Sequence, residues 1–278
     1  MTCWRDRDNS MKILFTDLDY TMLNNASHVS DVTRDTLRRF TEAGNKLVLS
    51  SGRPILSVKE VRECEDIAFE GMYIIANNGA CVYDCDNDSI IMEKTVPFEC
   101  IDRIWSYAGE LGVHIQTYSD DHIITQKHDA EIDYYTKRIH LPVTYVLGPR
   151  DVLVKEPYKM LAISLMDKEV LHRLQAEVDD MYPDVLATAF SNDCYLEIFN
   201  KDAGKGVGLR FLADYLGVSI EDTYAAGDAM NDLSMIEAAG HGIAMCNGDE
   251  EVIKAARIVS KYDNDADGLA QVIEEYLL

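Results

Sequence analysis

The pattern of apolar and polar positions changes character twice along the chain. Lys12–Asp17 (KILFTD) is a short apolar run and predicts a buried strand. Ser30 or Asp31 caps a helix that runs to Phe40 or Ala43 and stops at Gly44. Lys46–Ser50 (KLVLS) predicts the next strand. Gly52-Arg53-Pro54 then turns the chain into another helix, with Pro54 suited to its first turn. Tyr73–Ala76 (YIIA) predicts a third strand, ended by Asn77-Asn78-Gly79. Strands alternating with helices imply a parallel sheet with right-handed crossovers.

The middle of the chain reads as hairpins with interspersed helices. Residues 81–93 form a predicted hairpin, and a helix follows Pro97 and ends near Gly112. His114–Tyr118 pairs with His122–Gln126, and a helix spans about Ala130–Ile139. Lys159–Leu165 predicts a strand, Lys168–Met181 a helix, and Val185–Phe190 with Tyr195–Phe199 a last hairpin. After Asn200 the first pattern returns. A helix covers Gly204–Tyr215, a strand Tyr224–Ala226, a short helix Met230–Ala239 and a strand Gly242–Met245. Helices near Glu250–Arg257 and Asp267–Leu277 close the chain.

The expected fold class is therefore α/β: a doubly wound, Rossmann-like core with a mostly parallel sheet, formed by residues 11–82 and 198–278. An α+β module, residues 83–197, is inserted into it. Residues 1–10 (MTCWRDRDNS) are polar and are read as an N-terminal tail outside the fold, with Met11 opening directly onto the first strand.

Composition narrows the functional classes. The formal charge of −23 repels nucleic acid and anionic membranes, so neither is an expected partner. It also demands local cations at any site for an anionic substrate. The 7 cysteines are scattered without CxxC spacing, so no zinc or redox motif is suggested, and free thiols in a reducing cytoplasm are expected. No apolar run approaches the ~20 residues of a membrane helix.

Candidate chemistry gathers at predicted strand ends, where open α/β sheets bind ligands. Asp17-Leu18-Asp19-Tyr20-Thr21 ends the first strand. One carboxylate can attack phosphorus, and a second can protonate the leaving oxygen and later accept a proton from water. Two bare carboxylates facing a phosphate need a cation, and magnesium suits oxygen ligands. Alone, the run reads more readily as a solvated strand–loop junction with two ordinary aspartates. Leu49-Ser50-Ser51-Gly52-Arg53 adds hydroxyls, backbone N–H groups and a cation. Arg53 either reaches a substrate or pairs with a core acid. Lys205 in Asp202-Ala203-Gly204-Lys205-Gly206 stands at a helix start, against the helix dipole, and calls for a nearby anion. Gly227-Asp228-Ala229-Met230-Asn231-Asp232 follows another apolar strand. Asp228 is a candidate metal ligand, and Asp232 is a further ligand-shell residue or one that complements a helix dipole.

In this order the four elements resemble the haloacid dehalogenase superfamily of phosphohydrolases. Asn77-Asn78-Gly79-Ala80, Leu196-Glu197-Ile198 before Gly204-Lys205-Gly206, Asn247-Gly248 and Asp267-Gly268-Leu269 narrow the resemblance to the Cof type, whose inserted module is a type IIB cap. The resemblance implies a Mg2+-dependent phosphatase of small phosphorylated metabolites, sugar phosphates above all, acting through an aspartyl-phosphate. It makes Asp17 the nucleophile and a metal ligand, and Asp19 the general acid/base with its carbonyl on the metal. Ser51, with the Leu18 and Gly52 amides, Lys205 and Asn231 would hold the phosphoryl group. Asp228 would complete the metal ligands, with Asp232, Arg53 and Asn78 in support, and the cap would close over the site and choose the substrate. Tyr20 stands where glycine is usual, and Ser51 where threonine is commoner. A phosphomutase with the same intermediate, and a catalytically silent metabolite-binding protein, are the alternatives. His114, His122, His128 and His140 in the cap read as surface or packing residues, and Asp120-Asp121 as a hairpin turn.

Overall fold

The computed structural model describes residues 10–137, 139 and 141–278. Residues 1–9 of the predicted tail, with Cys3, and His140 lie outside the described residues. The chain divides into two compact units, residues 1–92 with 204–278 and residues 93–203.

The first unit opens with β1 (Ile13–Thr16), α1 (Asp31–Glu42), β2 (Lys46–Ser50), α2 (Ile55–Cys64) and β3 (Tyr73–Ala76). The local causes are those legible in sequence. Ser30 Oγ accepts from the Thr33 amide at 3.0 Å and caps α1. Pro54 stands at the start of α2, where a missing N–H costs nothing. The hairpin β4 (Cys81–Asp84) and β5 (Ser89–Glu93) follows.

The second unit comprises α3 (Phe98–Leu111), β6 (His114–Tyr118), β7 (Ile123–Thr125), α4 (Ala130–Tyr135), β8 (Val143–Tyr145), β9 (Lys159–Ile163), α5 (Lys168–Met181), β10 (Leu186–Asn192) and β11 (Tyr195–Asn200). Its sheet has the order β10-β11-β9-β6-β7-β8, and all pairs are antiparallel except β7 with β8. Ile115, Met160, Ala162, Leu196 and Ile198 on these strands share one buried cluster with Ile101, Ile104 and Trp105 of α3 and Leu171, Leu174 and Val178 of α5. Ile132 and Tyr135 of α4 instead join Tyr118, Leu161 and Ile163.

The chain returns to the first unit with α6 (Lys205–Leu216), β12 (Thr223–Gly227), α7 (Leu233–Ala238), β13 (His241–Ala244), α8 (Glu250–Ala255), β14 (Ile258–Val259) and α9 (Gly268–Tyr276). Its sheet has the order β14-β13-β12-β1-β2-β3-β4-β5. Strands β14 through β3 pair in parallel, and β4 turns antiparallel to β3. Leu209 and Leu212 of α6 pack with Ile13, Phe15, Val48 and Ile75 of the sheet. Full burial of each such side chain contributes about 1.5–3 kcal/mol. The chain runs outward from β1 to β3 on one side and from β12 to β14 on the other. The switch point therefore lies between β1 and β12.

Both expected borders of the inserted module, 83 and 197, move toward the C-terminus. The 81–93 hairpin pairs with β3 and extends the first sheet, so the second unit begins at Glu93. At the other border β11 runs on to Asn200, whose Nδ2 donates to the Thr95 carbonyl at 2.9 Å, and the unit ends at Ala203. Among the described residues of the helix predicted over 130–139, helix forms at Ala130–Tyr135. β8 and β14 had no sequence signal: they are three and two residues long and half-buried or exposed, too short to show an alternating pattern. Among the described residues no helix is long and apolar enough to cross a membrane.

Candidate active site

The loops after β1 and β12 face each other because their strands are neighbours. The Asp17 amide donates to the Ala226 carbonyl at 2.9 Å, carrying the ladder one residue past β1. Asp17 is buried, with its backbone extended, and the chain then winds through a tight turn, Leu18–Met22. Within that turn Tyr20 has φ 60° and ψ 9°, a left-handed conformation unusual for a bulky side chain. The Asn247 Nδ2 donates to the Tyr20 carbonyl at 2.9 Å and holds the turn from a distant loop.

Lys205 supplies the link between the two loops. From the first turn of α6 its Nζ donates to Asp17 Oδ1 at 2.6 Å and to Asp232 Oδ1 at 2.5 Å. These are the anions that a lysine at a helix start requires. Asp232 is fully buried, and its Oδ2 accepts from the Asp228 and Ala229 amides at 3.0 and 3.1 Å. Thr21 Oγ1 donates to Asp228 Oδ1 at 2.7 Å. The contacts of Thr21 and Asn247 were missed from sequence; each residue lay within a motif, but its partner is distant in the chain.

Burial sets the electrostatics. It pushes the Asp17 carboxyl well above the usual carboxylate range, Lys205 opposes it, and Asp232 and Asp228 add to it. Burial likewise raises Asp228 to about 6, against the Thr21 hydrogen bond. Burial alone would lower the Lys205 ammonium, but Asp17 and Asp232 outweigh it and hold the pKa above the ordinary lysine value.

The donor set fits a divalent cation. Asp17, Asp228 and Asp232 each offer a carboxylate oxygen, and these atoms lie within 4.8 Å of one another. Three carboxylates against one ammonium leave the cluster formally anionic. Hydrogen bonds already engage both Asp232 oxygens, whereas those of Asp17 and Asp228 among the described residues engage only Oδ1. Asp17 and Asp228 therefore retain ligand capacity, and Asp232 acts as the scaffold that orients Lys205 and the Asp228 backbone. Hard oxygen ligands in this number suit magnesium.

Asp19 does not join this cluster. Its carboxylate is gripped by Arg53, whose Nε donates to Oδ2 at 2.9 Å and whose Nη2 donates to Oδ1. Of the two readings open for Arg53, the structure thus shows pairing with an acid. Ser51 is buried at the end of β2, where its amide donates to the Ile75 carbonyl at 2.8 Å and its Oγ accepts from the Arg53 amide at 3.1 Å. Asn231 Nδ2 donates to Asn78 Oδ1 at 3.2 Å, joining the loop after β12 to the turn after β3. Leu18 is buried within its turn. All of these residues belong to the first unit.

A sequence profile described as haloacid dehalogenase-like hydrolase matches residues 14–273. The chain is 31% identical over 293 aligned residues, covering 96% of itself and 98% of the relative, to 5-amino-6-(5-phospho-D-ribitylamino)uracil phosphatase YwtE of Bacillus subtilis. It is 27% identical to phosphatase YwpJ of the same organism, covering 96% of itself and all (100%) of that relative. Among solved structures, a haloacid dehalogenase-like hydrolase from Bacteroides thetaiotaomicron superposes with a TM-score of 0.88 at 28% identity, covering 96% of this chain and 99% of that one.

Proposed function

The chain is a phosphatase of the haloacid dehalogenase-like hydrolase family, Cof type, and on that premise we propose that it hydrolyses small phosphate monoesters with magnesium, using Asp17 as nucleophile. The observation that carries the reading is Lys205 bridging Asp17 and Asp232 beside Asp228. This arrangement aligns a carboxylate and neutralises charge, the two needs of phosphoryl transfer.

In the proposed reaction a free Asp17 oxygen attacks phosphorus, and the bond to the ester oxygen breaks. Asp19, released from Arg53 and protonated from solvent, gives that proton to the leaving oxygen. The resulting aspartyl-phosphate is attacked by water, whose proton goes to Asp19, and phosphate leaves as Asp17 is restored. Lys205 screens Asp17 and the transferring group throughout. Ser51, with the Leu18 and Gly52 amides, and Asn231 hold the phosphoryl oxygens. Bound between Asp17, Asp228 and the Asp19 carbonyl, magnesium would supply further charge neutralisation and alignment.

For substrate we propose phosphorylated sugars or sugar alcohols. Support comes from the relative YwtE, whose name gives a phosphoribityl compound. The strongly acidic chain speaks against nucleic acid. We also assign it to the cytoplasm, consistent with free cysteines at 64, 81, 85, 100, 194 and 246.

The test is a panel of phosphate esters assayed with and without magnesium, on the wild type and Asp17→Asn. Turnover lost to EDTA and to Asp17→Asn is the expected result. Turnover surviving in Asp17→Asn would overturn the mechanism.

A further inference from the structure

The turn after β3 touches every loop assigned above to phosphoryl binding except the first. Asn77, Asn78 and Gly79 are three successive left-handed residues, with φ of 51°, 55° and 92°. Such a run is unfavourable for residues with a Cβ, and asparagine tolerates it best after glycine. The Asn77 and Asn78 amides donate to the carbonyls of Arg53 (3.0 Å) and Ser51 (3.1 Å), tying the turn to the loop after β2. A Cβ on Gly79 would lie 2.1 Å from the Gly204 carbonyl and 2.6 Å from the Lys205 nitrogen, so only glycine lets the turn meet the start of α6. A Cβ on Gly52 would lie 2.8 Å from Asn78 Oδ1, so the Asn78 carboxamide rests against Gly52. The same oxygen accepts from Asn231 Nδ2.

We propose that Asn78 is a positioning residue for phosphoryl binding, acting by fixing which end of the Asn231 carboxamide faces the phosphate. The proposal rests on the reading of Asn231 as a phosphoryl contact. A carboxamide has an attracting end and a repelling end: its NH2 donates to a phosphoryl oxygen, whereas its carbonyl repels one. Asn78 Oδ1 engages one hydrogen of Asn231 Nδ2 and draws the NH2 toward Gly52, leaving the second hydrogen for the phosphoryl group. A flipped Asn231 would set two carbonyl oxygens against each other. The strained turn is thereby explained, since a local conformational cost persists where surrounding contacts over-determine it.

The test is a double-mutant cycle read by calorimetric titration of the full chain with inorganic phosphate in magnesium. Asn78→Gly keeps the left-handed backbone and removes only the carboxamide. Asn78→Gly and Asn231→Ala are each expected to weaken phosphate binding by about tenfold. The double variant is expected to bind no more weakly than Asn231→Ala alone. Asn78→Asp retains the acceptor, so Asn231→Ala should still weaken binding in the Asn78→Asp background; this arm also serves if Asn78→Gly unfolds. Additive losses, or an Asn78→Gly variant that binds as the wild type does, would overturn the proposal. So would an Asn231→Ala variant of unchanged affinity, which would also remove Asn231 from the site. Phosphatase chemistry stands or falls separately, by the turnover of Asp17→Asn.

Discussion

Lys205 and Asp232 form an ion pair without solvent exposure, Nζ 2.5 Å from Oδ1 and both side chains at 0% accessibility. A charge so buried is tolerable only while partnered, and removing one member of such a pair costs about 3–5 kcal/mol. Lys205→Met fills the volume but leaves Asp17 and Asp232 facing each other. It should lose stability in that range, lowering the melting temperature by roughly 10 °C, and abolish turnover. Thermal unfolding alongside a phosphatase assay checks both. A variant as stable as the wild type would show that the carboxylates simply take up protons at little cost.

The carboxylates also predict how magnesium and pH interact. Burial raises Asp228 from an ordinary 3.8 to about 6, so between those values the folded chain holds a proton that the unfolded chain has lost. Metal-free stability should therefore fall as pH rises through that window, and Asp17 acts with the same sign. Magnesium needs the deprotonated form, so its apparent affinity should weaken by up to about tenfold per pH unit below about 6. Melting curves at pH near 5 and near 7, with and without magnesium, test this; stabilisation by the metal should be larger at the higher pH.

Arg53 is predicted to matter for rate more than for stability. Its two-pronged grip on Asp19 is partly solvent-exposed, with side-chain accessibilities of 24% and 43%, and exposed pairs contribute at most about 1 kcal/mol. Arg53→Lys keeps the charge but cannot reproduce the fork. Unfolding in urea should shift by less than about 1 kcal/mol. Meanwhile kcat/KM should fall roughly tenfold or more, because Asp19 is no longer held at the position from which it is released to the substrate. A large stability loss with unchanged kcat/KM would make the pair purely structural.

What sequence reveals and conceals follows from the range of the interactions. The Ser30 cap, Pro54 at the start of α2 and the apolar runs of β1, β2 and β3 are local signals, and each forms as read. Lys205 announces its anions through an electrostatic misfit at a helix start, but neither role read for Asp232, in the metal shell or at a helix dipole, is the pairing with Lys205 that the structure shows. The Thr21–Asp228 hydrogen bond spans 207 residues, and nothing local marks it. Arg53 had several acids within sequence reach of the site, and only the tertiary arrangement selects Asp19. The 81–93 hairpin is legible as a hairpin, but the sheet it joins is not, since pairing with β3 depends on register beyond the hairpin itself.

Tyr20 separates stability from access. Its left-handed backbone costs a residue with a Cβ about 1–2 kcal/mol, whereas glycine adopts it freely. Tyr20 is 58% exposed, so little packing would be lost with its side chain. Glycine also gains entropy in the unfolded chain, which offsets about 0.5–1 kcal/mol. Tyr20→Gly should therefore be neutral or stabilising by up to about 1 kcal/mol, a direction opposite to that of most substitutions at exposed aromatics. The Asn247 contact is made to the Tyr20 carbonyl and survives the change. Urea unfolding of Tyr20→Gly and Tyr20→Ala distinguishes the causes: Tyr20→Ala keeps the Cβ and the strain, and should be less stable than Tyr20→Gly. If the two variants matched, the backbone at this turn would carry no strain, and the tyrosine would owe its place there to its ring alone.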